Sequence, residues 1–343
     1  MESPVNTMTP TNTTAVATQN NSHLFQNAAG FEIIGGQFVL GDVHNHPALV
    51  GPRSSSSPPS NPPDEAFSES EIYCSQLLRQ KRGFPLYEPA PQINLPLAYQ
   101  RHGVAIGDVG SVAPEGIFDF FFNIFLPPEH PINANDTPED FCPMPPHNPR
   151  DVVHLTYSSG NYVSSPAVRK LDFDDPSEFP EGGYVFRCDA PRGAVLALPN
   201  GAHLSKLRNV ENMRAYAAEH ADSWYRYING ARGRGLTNGD LFLVTGCEKA
   251  RAWGMASYHS CREEFELTFK PPRRSYATSR PYRWSGTHGR ENPAKGKSYD
   301  HPLTGGPVNQ TTFIHGWSIS LPTGLWGKLF GTVETSSIVD FQS

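Results

Sequence analysis

Several short stretches of this sequence bring chemically capable side chains together. Asp42-Val43-His44-Asn45-His46 sets two imidazoles two residues apart. Alternate residues of a strand point the same way, so both rings could reach one metal ion. The pair sits between a low-complexity arm and a Ser/Pro-rich tether, with no alternating β/α pattern behind it. No metal is therefore expected there. Gly296-Lys297-Ser298 copies the end of a phosphate-binding loop, but Glu291 stands where the first glycine belongs and Pro293 interrupts the loop. Tyr299-Asp300-His301-Pro302 follows where a helix should begin, so the motif is rejected. His259 and Cys261 would share a face on a strand. No GxSxG elbow accompanies them and no spacing nominates a triad, so no catalytic residue and no cofactor is assigned.

Cationic chemistry is better represented. Gly230-Ala231-Arg232-Gly233-Arg234-Gly235 combines backbone amides with two guanidiniums that could hold an anion. It follows a helical pattern, whereas a dinucleotide fingerprint precedes one, so a helix C-cap and a solvated loop compete with that reading. From Lys270 to Lys297 there are eight basic residues against one acid, Glu291, interleaved with Tyr276, Tyr282 and Trp284. Stacking plus phosphate contact, or an anionic membrane surface, suits that composition. The candidate binding residues are Arg232, Arg234, Arg273, Arg274, Arg280, Arg283 and Trp284, and a solvated loop is the plainer alternative. Glu115 to Glu181, by contrast, holds twelve acidic residues against three basic ones, and the chain carries a formal charge of −6. A general nucleic-acid binder is not expected from that balance.

The five cysteines are scattered and never paired as CxxC, which argues against a disulfide framework and a zinc finger. The first residues lack the basic-then-apolar pattern of a signal peptide, and no apolar run reaches the length of a membrane span. The expected compartment is the cytosol, with the nucleus second, and the sequons at Asn12, Asn20, Asn135 and Asn309 are then incidental.

The elements that must position these residues follow from periodicity. Of 343 residues, 33 are Pro and 30 Gly, yet 20 Phe, 13 Tyr and 5 Trp can fill a sizeable core. Residues 1–67 read as a largely disordered arm with a short β leader at 31–46, broken by Gly35-Gly36 and Gly41-Asp42. Residues 51–65 form its tether. A single domain is expected over 68–335, with a tail at 336–343. A helix is predicted from Glu69 to Gln80 and irregular chain through the prolines of 127–150. Strands are predicted at 104–112, 116–126, 152–157, 183–187, 194–198, 240–246, 253–258, 264–269 and 311–321. In 116–126 the residues Phe118, Phe120, Phe122 and Ile124 are expected on one face, with Asp119 and Asn123 opposite. The segments 240–246 and 253–258 suggest a hairpin. From 209 to 229, Val210, Met213, Ala217, Ala221, Trp224 and Ile228 recur at helical spacing, with Asn209 as N-cap and Gly230 as the C′ glycine. The fold class predicted is α+β, a mainly antiparallel sheet packed on this one long helix.

The segments 81–127, HADSWYRYINGARGRG (220–235), 238–258 and NQTTFIHGW (309–317) resemble an uncharacterised protein family of mushroom-forming fungi (Agaricomycetes). The leader FEIIGGQFVLGD is similar to glycine-broken leaders of fungal NACHT-type proteins, although no NACHT domain or P-loop accompanies it. The order of a long helix, a strand at 241–258 and a late strand is similar in architecture to gasdermin-like pore formers, without a shared motif. These resemblances imply no reaction. The reading is a non-enzymatic cytosolic interaction or regulatory protein of fungal type that pairs with itself or another protein through the 31–46 leader. A membrane-active protein making peripheral contact, without a transmembrane segment, is the alternative, and an enzyme of unidentified class the third.

Overall fold

The computed structural model describes residues 67–171, 183–270, 282–286, 294–300 and 306–321, with the backbone of two strands in the arm. Those strands, β1 (Phe31–Ile34) and β2 (Gln37–Leu40), pair antiparallel with Ile34 opposite Gln37, as the glycine-broken leader predicts. His44, His46, the Ser/Pro tether and residues 336–343 lie outside the described residues.

The domain opens on helix α1 (Glu69–Leu78), started by a reciprocal cap. Glu71 N donates to Ser68 Oγ at 3.2 Å while Ser68 N donates to Glu71 Oε2 at 2.7 Å, satisfying two otherwise orphaned amides. Its inner face, Tyr73, Cys74 and Leu77, is fully buried. After β3 (Phe84–Pro85) the proline-rich stretch contains an unforeseen short helix, α2 (Leu97–His102), which starts directly after Pro96. β4 (Asp108–Val112) and β5 (Phe118–Asn123) form an antiparallel pair with a register shift between Val109 and Gly110. Both faces of β5 are covered: Phe118 and Phe120 belong to one core cluster, Phe121 and Phe122 to another. The expected single apolar face is corrected accordingly, and Asn123, expected outside, is buried.

Residues 127–148 are irregular, as the prolines dictate, and end in a 3-10 turn at Pro149–Asp151. There follow β6 (Val152–Tyr157), β7 (Asn161–Ser164), β8 (Val168–Lys170), β9 (Tyr184–Cys188), β10 (Gly193–Leu198) and β11 (Ala202–Leu207). Helix α3 (Glu211–Arg226) is capped by Val210 without a side-chain bond, so Asn209 does not cap it. It runs on into a π turn, Tyr227–Ala231, that contains Gly230; the first left-handed residue is Gly233, at φ 60°. The expected C′ glycine is thus displaced by three residues, because the helix widens before it ends. The chain closes with β12 (Leu241–Ala250), β13 (Trp253–Tyr258), β14 (Phe265–Lys270), β15 (Arg283–Gly286), β16 (Lys295–Tyr299) and β17 (Gln310–Ile319).

Among the described residues all strand pairs are antiparallel, in three domain sheets rather than one. The largest runs β3-β17-β12-β11-β6, and β4 joins β12 beside the end of β11 and carries β5. The second is β16-β13-β10-β7 and the third β15-β14-β9-β8. The expected hairpin of β12 and β13 does not exist, since the two strands leave for different sheets. Nearly all of β12 is buried, so apolar residues occupy both of its faces. Met213, Ala217, Ala221 and Trp224 of α3 share a core cluster with Phe122, Leu241, Leu243 and Ile319. A further cluster joins α1 to Leu196, Met255 and Phe313 of two sheets.

Candidate functional site

Three adjacent strands, β6, β11 and β12, assemble a polar face. His203 stands opposite Thr156 on one side and Lys249 on the other; two residues on, Ser205 stands opposite His154 and Cys247. Alternate residues of a strand share a face, so these six side chains form two cross-strand rows on the same side of the sheet. His154 Nδ1 lies 3.1 Å from Ser205 Oγ, and His203 Nδ1 lies 3.3 Å from Thr156 Oγ1. Lys249 Nζ donates to the carbonyl of His102, at the end of α2, at 2.6 Å.

Loops, a 3-10 turn and the first residue of β6 raise walls around this face. Ala105 and Ile106, His147 and Pro149, Val308 and Val152 close a groove of about 560 Å³, a size suited to a small organic ligand. The His147 ring packs on Phe125 with centroids 5.1 Å apart, and its Nδ1 is buried without a hydrogen-bond partner among the described residues. Cys247 is buried at the floor, and burial raises its thiol pKa although the nearby Lys249 opposes this, so it stays protonated and unreactive. Ser205 beside His154 is the nearest approach to a nucleophile and base. Among the described residues no Asp or Glu lines the groove to orient that imidazole, and the arrangement suits binding better than acyl transfer. Among the described residues no three His, Cys, Asp or Glu side chains converge as metal ligands.

The described residues among those singled out by sequence lie outside this groove, Arg232 and Arg234 in one place and Arg283 and Trp284 in another. Arg232 Nη1 sits 2.7 Å from Asp136 Oδ2, and Arg234 is paired with Asp119. Both guanidiniums also lie near the Phe121 ring, at 5.3 and 5.6 Å. They act as clamps holding the chain after α3 onto the β5 region. Trp284 packs on Phe269 and Phe186, with ring centroids 4.5 and 6.1 Å away, and its indole N–H donates to Lys297 O at 3.2 Å. Arg283 is exposed on β15 opposite Lys270, while Arg273, Arg274 and Arg280 lie outside the described residues. Lys297 of the rejected phosphate motif is on a strand, 3.4 Å over the Tyr87 ring and paired with Glu88. Cys261 Sγ faces the main-chain carbonyl of His259 at 3.7 Å while the ring Nδ1 meets Ser260, so the two do not form a thiol–imidazole pair.

Sequence reasoning missed the groove. Its signal was the polar alternation His154-x-Thr156, His203-x-Ser205 and Cys247-x-Lys249, which became visible only when β11, poor in β-branched residues, was placed between the other two. Comparison with known proteins adds no relative: no family model, no curated protein and no solved structure matches the chain.

Proposed function

We propose that the chain is a non-enzymatic interaction protein of the cytosol that associates with a second copy of itself by strand addition from its leader. The observation that carries this reading is the β1–β2 pair, four residues in each strand, which lies near β17 but, among the described residues, hydrogen-bonds to none of the three domain sheets. A two-stranded hairpin is marginal by itself and presents unpaired backbone on both outer sides, so it gains from a third strand. β6 offers the receiving edge. Among the described residues it is paired only with β11, and Leu155 at its middle is 50% exposed. Main-chain hydrogen bonds along such an edge give affinity without any catalytic centre. Sedimentation of the full chain, of the chain lacking residues 1–50 and of Leu155→Lys tests this. The full chain should sediment as a dimer or larger and both variants as monomers; equal masses for all three would overturn the reading.

A second reading, peripheral contact with an anionic membrane, is favoured by Ile93 and Leu97, which are 92% and 69% exposed near Arg101 and His102. It draws nothing from the Phe-rich strand, whose Phe118, Phe120 and Phe122 are in the core. No helix among the described residues is long and apolar enough to cross a membrane. Flotation with phosphatidylserine vesicles should carry the protein upward and fail for Ile93→Asp; wild type remaining at the bottom would end this reading.

A further inference from the structure

The groove on the β6–β11–β12 face has a chemical character that goes beyond strand addition and does not depend on it. Its walls are predominantly apolar: Ala105, Ile106, Pro149, Val152 and Val308. Its polar groups are Lys249, three imidazoles, Ser205 and the buried Cys247, and no carboxylate is among the described lining residues. That absence is selective, because the chain as a whole is acidic, at −6. A cation or a metal ion finds no anionic ligand among these described residues. An anion finds an ammonium with three donors, of which the His102 carbonyl takes one. His154 and His203 use Nδ1 toward hydroxyls on the neighbouring strand, which leaves each Nε2 for a ligand.

We propose that this groove binds an organic anion with an apolar body and a single acidic head, of the size and type of a medium-chain carboxylate. The head lies at Lys249 and His203, which face each other across β11 and β12. The body lies along Ile106, Val152 and Val308. Charge and shape both choose this occupant. A bare phosphate leaves the apolar walls wet, and a neutral hydrocarbon leaves the ammonium unanswered inside a partly enclosed site.

Titration calorimetry of the full chain with decanoate tests the proposal, with decylammonium and inorganic phosphate as separate probes. One equivalent of decanoate should bind, and neither decylammonium nor phosphate should compete at the same concentration. Lys249→Met keeps the length of the side chain and removes its charge. It should weaken decanoate roughly tenfold or more, the scale of one lost charge-assisted hydrogen bond. Ile106→Trp fills the groove and should abolish binding while the circular dichroism stays that of wild type. If Ile106→Trp does not fold, the Lys249→Met result decides alone. Absence of decanoate binding, equal binding of decylammonium, or undiminished binding by Lys249→Met would each overturn the proposal. Binding of phosphate alone, or of decanoate only within anionic vesicles, would also overturn it, by assigning the site to an inorganic anion or to a membrane.

Discussion

Arg82 grips Glu248 through two hydrogen bonds, Nε to Oε2 at 2.7 Å and Nη2 to Oε1 at 3.0 Å. The carboxylate is fully buried on β12, where Thr312 Oγ1 also donates to it at 3.0 Å. The same guanidinium donates to Asn161 of β7 at 2.8 Å and lies 3.7 Å over the Tyr157 ring. One side chain from the segment after α1 therefore joins the largest sheet to the second. Burial pushes the Glu248 carboxyl pKa up, and Arg82 pulls against that. Glu248→Gln should cost about 3–5 kcal/mol in urea unfolding, because it strands a charge in a buried place. The double change Arg82→Met with Glu248→Leu should recover much of that loss. Losses that simply add would show that the two groups are not coupled.

Stability should depend on pH through two buried groups with opposite slopes. Asp108 accepts from Ala105 N and from Asn123 Nδ2, each at 2.7 Å, yet burial raises its pKa to about 7. An unfolded Asp titrates near ~3.9, so the native state holds the extra proton and stability falls as pH rises from about 4 to 7. His315 is lowered to about 4, by burial first and by Lys206 second. Unfolded His titrates near ~6.5, so its contribution is complete above that pH and is lost as pH falls toward 4. The two slopes oppose each other between about pH 4 and 6.5. Asp108→Asn should leave a stability that rises with pH in that window, and His315→Gln one that falls. Urea midpoints measured across the window check both signs.

Gly254 of β13 lies against Phe269 of β14, where the second and third sheets meet. A Cβ there would meet the ring of Phe269 at 2.1 Å, and Phe269 is fully buried on β14. Gly254→Ala should therefore cost about 1–3 kcal/mol through overpacking. Phe269→Leu introduced with it should return part of that loss, which thermal unfolding of the two variants would register.

Arg232 and Arg234 should contribute little to anion binding, since each is already engaged by a carboxylate. Arg232→Ala and Arg234→Ala are expected to change stability by about 1 kcal/mol or less, the scale of partly exposed pairs. Heparin-column retention should stay that of wild type for both. Earlier elution of either variant would restore these residues to an anion site.

The sequence by itself determined the local elements whose signals are short-range. The bounds of β6 follow from its polar flanks, and the heart of α3 from Met213, Ala217, Ala221 and Trp224 at helical spacing. Ser68 with Glu71 wrote the start of α1 in the order of its residues. What the tertiary structure alone decided was partnership. Alternation states which side chains share a face but not which strand lies alongside, so β12 and β13, adjacent in sequence, went to different sheets. A charge does not name its counterion either: Lys297 found Glu88, and Arg82 found Glu248, both far along the chain. The groove belongs to the same class of fact. Its residues come from six segments between Ala105 and Val308, and only the pairing of β6, β11 and β12 converts three separate polar alternations into one surface.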